Sequence, residues 1–290
     1  MPEAEVDVDE QLVRDLLREQ RPDLAELPVS LVANGWDNAI YRLGEGLSVR
    51  LPRRQLGADL VAHELRWLPE LAPRLPLPIP VPEFAGEPGC GYPWRWSVCR
   101  WIDGEVAAVG GYEPERMADD LGAFLVALHM PAPSDAPHNA YRGVPLTDRD
   151  EITIQRLEQL EDAVDARALS KLWAEVTSLA PRDGPPLWVH GDLHPANIMV
   201  AGGRVAGVVD WGDVTAGDPA TDLSVAWLLF EAGDRERFRA AAGNPDDETW
   251  ERARGWAITL GLAYVASSAD NPMMASLGHR ALREALSDAG

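Results

Sequence analysis

Between Asp9 and Gln20 the apolar residues Leu12, Val13, Leu16 and Leu17 recur at helical spacing and predict an amphipathic helix. From Val29 to Leu51 the pattern changes to short β-like runs. They are broken at Asn34-Gly35-Trp36-Asp37-Asn38 and at Gly44-Glu45-Gly46, turn-rich interruptions that predict antiparallel hairpins. Helical spacing returns over Ala58–Leu71, with Leu60, Val61, Leu65 and Leu68 on one face. Pro73, Pro76, Pro78, Pro80 and Pro82 then predict a stiff, extended connector. A proline-rich ligand for an SH3-type domain is the sharper alternative for that segment. Trp94–Trp101 alternates large and small residues and reads as one more strand.

After Ile102 the pattern becomes helical. Glu113–Met130 places Met117, Leu121, Leu125 and Leu128 inward, a Pro-rich loop follows over Pro131–Leu146, and Glu151–Leu179 is expected to be helical with breaks. Trp188–Val209 holds short β-like pieces around a compact polar loop. Pro219–Ala242, Thr249–Ser268 and Met273–Leu286 are expected as closing helices. The order predicts an α+β chain: a small strand-rich lobe over residues 1–100, then a larger, mainly helical lobe over 101–290. No internal repeat is present.

Composition narrows the function classes. The 290 residues are 46 % hydrophobic, enough for a sizeable core, and carry 26 basic against 47 acidic side chains, a net charge of −21. Nucleic acid and anionic membrane surfaces are therefore poor partners, because both are bound through clustered basic residues. Met1–Gln20 is acidic and lacks an apolar core of signal-peptide length, and no run of 18 apolar residues occurs. Cys90 and Cys99 make neither a disulfide framework nor a zinc set, so a reducing cytoplasm is expected. Of the 26 basic residues, 25 are Arg and only Lys171 is Lys, so a mechanism needing a particular lysine must use that one or do without.

The chemistry is concentrated in Val189-His190-Gly191-Asp192-Leu193-His194-Pro195-Ala196-Asn197-Ile198-Met199-Val200, followed by Val208-Val209-Asp210-Trp211-Gly212-Asp213. Asp192 and Asn197 stand five apart on a loop between apolar runs, and Asp210 ends a further run over Val205–Val209. An Asp able to accept a hydroxyl proton, then an Asn and a second Asp at strand ends, is a set suited to Mg-assisted phosphoryl transfer. The Asp-x-x-x-x-Asn spacing is that of the protein-kinase catalytic loop.

These motifs, with Gly217-Asp218-Pro219-Ala220-Thr221-Asp222-Leu223, resemble the aminoglycoside phosphotransferase family, small-molecule kinases with a protein-kinase-like two-lobed fold. The resemblance spans most of the chain. It implies Asp192 as catalytic base, Asn197 and Asp210 as Mg²⁺ ligands, ATP or GTP as donor, and a small-molecule acceptor on a monomer or homodimer. Asp222 would brace the catalytic loop by accepting backbone N–H bonds; the plainer reading is a carboxylate at a helix start. His190 is expected to pack beneath the loop and His194 to serve its structure.

The departures lie in the first lobe. Where a kinase strand offers Lys to the phosphates, Leu47-Ser48-Val49-Arg50-Leu51 offers Arg50, with Glu64 on the following helix as its natural partner; the alternative is a surface arginine. The phosphate-covering loop, Asn34–Asn38, has one glycine, leaving backbone N–H groups and Asn38 for phosphate contacts. Cys99 and Trp101 mark the segment expected to hold the base through backbone groups. Residues 103–165 contain 4 basic and 14 acidic side chains, which points to a cationic acceptor such as an amino-sugar antibiotic. Asp213, Glu158, Glu161, Asp162 and Asp165 are the candidate contacts, and Trp36 and Trp211 the tryptophans expected to flank the site.

Three other readings compete. His190, Asp192 and His194 could ligate a hydrolase metal, which leaves Asn197 and Asp210 without a role. A nucleotide-holding pseudokinase accounts for the missing lysine but has no need of Asp192. A protein kinase needs a longer segment between Asp210 and Asp222 than this chain provides.

Overall fold

Asp9 accepts a hydrogen bond from Leu12 N–H and starts α1 (Glu10–Gln20), whose Val13, Leu16 and Leu17 are buried. They pack against a five-stranded antiparallel sheet of β1 (Val29–Asn34), β2 (Asn38–Leu43), β3 (Leu47–Pro52), β4 (Pro82–Gly86) and β5 (Trp96–Arg100), with α2 (Gln55–Leu71) following β3. The spatial order is β1-β2-β3-β5-β4. Alternation along β3 decides what each residue does. Val49 and Leu51 enter the core with Tyr41, Leu43 and Trp96, while Arg50, paired in register with Ile40 and Ser97, turns to the other face and meets α2. The proline connector does not run on as predicted: from Pro82 it becomes β4. A proline is tolerated as the first residue of an edge strand, where its missing N–H breaks no ladder.

These elements form the first of two compact units in the computed structural model, which describes residues 3–35, 37–268 and 270–287. That unit holds the chain up to Arg74, Pro78–Asp103 and, from far downstream, Val209–Gly212. The second holds Leu75–Leu77, Gly104–Val208 and the chain from Asp213 onward.

In the second unit, β6 (Glu105–Val106) leads to α3 (Pro114–Leu128), which buries Met117, Leu121, Leu125 and Leu128 as predicted. The helical stretch over 151–179 divides into α4 (Asp150–Gln159) and α5 (Ala166–Thr177), with Asp165 capping α5 through Ala168 N–H. Short strands follow: β7 (Leu187–Val189), β8 (Ile198–Ala201), β9 (Arg204–Val208) and β10 (Thr215–Gly217). They pair as β6-β8-β9 and β7-β10. The predicted helix over 219–242 is three helices, α6 (Ala220–Leu223), α7 (Val225–Leu229) and α8 (Ala232–Ala241). Phe230 adopts an extended backbone that ends α7, and its carbonyl accepts Arg235 Nη1. α9 (Asp247–Ser267) is buried on nearly every face, among α4, α5, α6, α7 and α10 (Pro272–Ser287). Among the described residues no helix is long and apolar enough to cross a membrane.

Candidate active site

The polar loop between β7 and β8 is held by one buried carboxylate. Asp222, in the first turn of α6, is fully buried and accepts His190 N–H at 2.8 Å and Gly191 N–H at 2.9 Å. His129 Nε2 lies 3.2 Å from the same carboxylate. Gly191 is required by conformation and space: its φ is +87°, and a Cβ there would lie 2.4 Å from the Asp213 carbonyl oxygen. The chain therefore turns sharply before Asp192, whose own N–H is donated to His190 Nδ1 at 3.3 Å.

His194 organises the other side of the loop. Its Nδ1 accepts Ala196 N–H at 3.2 Å, so in the neutral ring the proton resides on Nε2, which lies 3.4 Å from Asp192 Oδ2. Its ring meets Tyr264 edge to face, with centroids 5.5 Å apart. Asn197 closes the loop by donating Nδ2–H to the Asp192 carbonyl at 2.9 Å. Its Oδ1 accepts no hydrogen bond among the described residues.

Asp192 is clamped from a second direction by Arg142, whose Nη2 lies 3.2 Å from Oδ1. Burial alone would push this carboxyl up, but the neighbouring His194 and Arg142, with His190 further off, hold it well below the usual carboxylate range. Asp192 is therefore an ionised acceptor at neutral pH. Arg142 belongs to the Pro-rich loop, which is stitched in place by Asn139 N–H to Thr215 Oγ1, Gly143 N–H to Thr221 Oγ1, and Asp218 N–H to the Gly143 carbonyl. Asp213 accepts Asn139 Nδ2–H at 2.6 Å. Neither Arg142, Tyr264 nor His129 was singled out from the sequence, because each reaches the loop through tertiary contacts that no local pattern encodes.

A second polar cluster lies within the first unit. Arg50 Nη1 pairs with Glu64 Oε1 at 2.8 Å, and its Nη2 lies 3.4 Å from Asp210 Oδ1. Arg50 is thus a buried residue bridging two carboxylates, and the surface alternative falls away. Burial opposes its charge, but Glu64 and Asp210 outweigh that penalty and keep the guanidinium protonated. Glu64 also accepts Trp211 N–H at 3.2 Å, while Asp210 has φ +62°, a left-handed backbone that Asp and Asn tolerate better than most.

The remaining candidates are more dispersed. Asn38 is buried at the start of β2, its Oδ1 without a hydrogen bond. The adjoining loop satisfies itself through Gly35 N–H to the Asn38 carbonyl and an Asp37–Arg54 ion pair. Cys99 is internal to β5, its thiol pushed up to about 11 by burial. Trp101 donates its backbone N–H to the Gly46 carbonyl, and Arg42 stacks on its ring. Glu158, Glu161 and Asp162 are exposed, with no bond to the loop between β7 and β8 among the described residues. Asp165 is spent on its cap. Trp211 is buried, and Trp36 lies outside the described residues.

Comparison with known proteins decides the family. The profile of the phosphotransferase enzyme family matches residues 28–256. The chain belongs to that family. It is a phosphotransferase with an alcohol group as acceptor. An Escherichia coli aminoglycoside 3'-phosphotransferase is 25 % identical over 266 residues, covering 81 % of this chain and 95 % of the relative. Among solved structures, the GDP and kanamycin complex of APH(2")-IIia superposes with a TM-score of 0.71 at 19 % identity, covering 97 % of this chain and 100 % of the other. The macrolide 2'-phosphotransferase MphH from Brachybacterium faecium gives 0.61 at 20 % identity, covering 94 % and 97 %. The fold is therefore the kinase-like one of these enzymes: an antiparallel-sheet lobe and a helical lobe.

Proposed function

We propose that this phosphotransferase moves the γ-phosphate of ATP or GTP to a hydroxyl of a small molecule, with Asp192 as the base. The observation that carries the reading is the loop itself: an ionised Asp192, fixed by Asp222 through backbone N–H groups and by Asn197 through its carbonyl. The carboxylate accepts the hydroxyl hydrogen and aligns the oxygen for in-line attack. The new bond joins that oxygen to the γ-phosphorus, the bond to the β–γ bridging oxygen breaks, and the nucleoside diphosphate leaves with the electron pair. Arg50 steadies the donor phosphates, and the GDP found on one neighbour supports a nucleotide donor.

Asn197 and Asp210 each offer an oxygen of the kind Mg²⁺ takes. The first has its amide N–H committed and its oxygen uncommitted; the second is 58 % exposed with one oxygen held by Arg50. When bound, the ion neutralises charge on the nucleotide phosphates. Replacing Asp192 with Asn tests the base: turnover should fall at least about a hundredfold, the usual scale of general-base loss, while nucleotide binding persists. Undiminished transfer by Asp192→Asn would remove Asp192 from the mechanism.

A further inference from the structure

The charge beside Asp192 runs against the charge of the chain. Residues 103–165 hold only 4 basic side chains among 14 acidic ones, namely Arg116, Arg142, Arg149 and Arg156. Arg116 pairs with Glu113 at the surface. The other three gather. Arg142 grips Asp192; Arg149 lies within the positive field of Arg142, and Arg156 within that of both. Arg149 stands immediately before α4 and Arg156 in its last turn, seven residues on. Thr153, between them, is bonded to Thr259 of α9, the helix that also carries Tyr264.

Neither Arg149 nor Arg156 has a hydrogen bond or ion pair from its side chain among the described residues. Arg149 lies over the Tyr141 ring at 5.5 Å, and its Nε is buried without a partner, as is that of Arg142. Asp192 and Asp213 act on Arg142, whereas the charged groups that act most on Arg149 and Arg156 are other arginines. A chain with 47 acidic residues thus leaves two half-buried guanidinium groups without an ion pair, one of them stacked on the neighbour of the arginine that holds Asp192. Like charges gathered in this way are unfavourable until something neutralises them.

We propose that the acceptor alcohol also carries an anionic group, a carboxylate or a phosphate, which Arg149 and Arg156 bind while its hydroxyl meets Asp192. The inference rests on the phosphotransfer reading for its hydroxyl end. It departs from the cationic acceptor that the acidic excess suggests, because Glu158, Glu161 and Asp162 face solvent.

The test uses the full chain with Mg²⁺ and ATP or GTP. Donor consumption and isothermal titration are measured with gluconate and glycerate, with glucose 6-phosphate and glycerol 3-phosphate, with uncharged glucose and glycerol, and with kanamycin. The two anionic arms separate a carboxylate from a phosphate requirement. At least one anion should react with kcat/KM more than about tenfold above its uncharged counterpart, and Arg149→Met and Arg156→Met should each raise its KM about tenfold or more, the scale of a lost charge-assisted hydrogen bond, with kcat and melting temperature retained. A preference for kanamycin or the uncharged compounds overturns the proposal. So does anion binding that ignores both substitutions, or the absence of any anion binding. Arginine-dependent anion binding without donor consumption upholds the anion site and defeats the transfer reading instead.

Discussion

At the scale of single residues, His194 and then Arg142 set how acidic Asp192 is. A carboxylate whose pKa is depressed in the folded protein keeps its charge until the pH falls below the ordinary carboxylate range. Catalysis by Asp192 should therefore show no acid limb near neutrality, and the charge-linked stability of the clamp should be lost only on strong acidification. Arg142→Met removes a positive partner while leaving burial in place, so the pKa rises and the acid limb of kcat/KM moves to higher pH. A pH profile of wild type and variant with one acceptor checks this; coincident acid limbs would show that His194 alone sets the charge state. The same residue shows what sequence reading reaches. Asp192, Asn197 and Asp222 stood out because they sit at short spacings within recognisable motifs. Arg142 did not, because its place depends on Asn139, Thr215 and Thr221, which are distant in the chain.

At the scale of elements, the helical unit is organised around α9, and its tightest crossing is with α10. A Cβ on Gly278 would lie 2.6 Å from the Gly261 carbonyl oxygen and 2.9 Å from a Val265 methyl, so this crossing requires glycine for space rather than for an unusual φ. Gly278→Ala forces the helices apart, which should destabilise the protein by about 1–3 kcal/mol, as overpacking does elsewhere. Thermal or urea denaturation measures it, and nucleotide affinity should be untouched because Arg50 and Asp210 belong to the other unit. A variant of unchanged stability would mean that the crossing is looser than its geometry indicates. Periodicity found α9 and α10 to within two residues, because long helices carry many turns of signal. It missed β4, whose Pro82 continues the run of prolines before it, and merged α6, α7 and α8, because the stretch through α6 and α7 is buried throughout and has no polar face to mark its breaks.

At the scale of the molecule, net charge was a poor guide to local chemistry. Many carboxylates are answered at the surface, as in Asp119–Arg237 and Glu87–Arg95, where solvent screening leaves the pairs little energetic weight. What sets the proposed donor and acceptor regions apart is charge that is buried and bridged, as at Arg50, or left without an ion pair, as at Arg149 and Arg156. These two regions belong to different compact units and share no hydrogen-bond partner among the described residues, so their perturbations should combine independently. Arg50→Met alone would strand Glu64 as a buried charge, a defect of about 3–5 kcal/mol that confuses folding with binding. The companion change Glu64→Gln removes that charge and keeps an oxygen for Trp211 N–H. The Arg50→Met/Glu64→Gln protein should then stay folded while its nucleotide KM rises about tenfold or more, equivalent to about 1.4 kcal/mol. Adding Arg156→Met should multiply this by its own effect on the acceptor KM, to within about 0.5 kcal/mol in kcat/KM. Steady-state kinetics of the four proteins, with nucleotide and acceptor varied in turn, decide the matter. A product of effects assigns donor and acceptor recognition to separate units. A larger discrepancy would mean that Arg50 and Arg156 report on one shared conformational state, and the assignment of separate roles would fail.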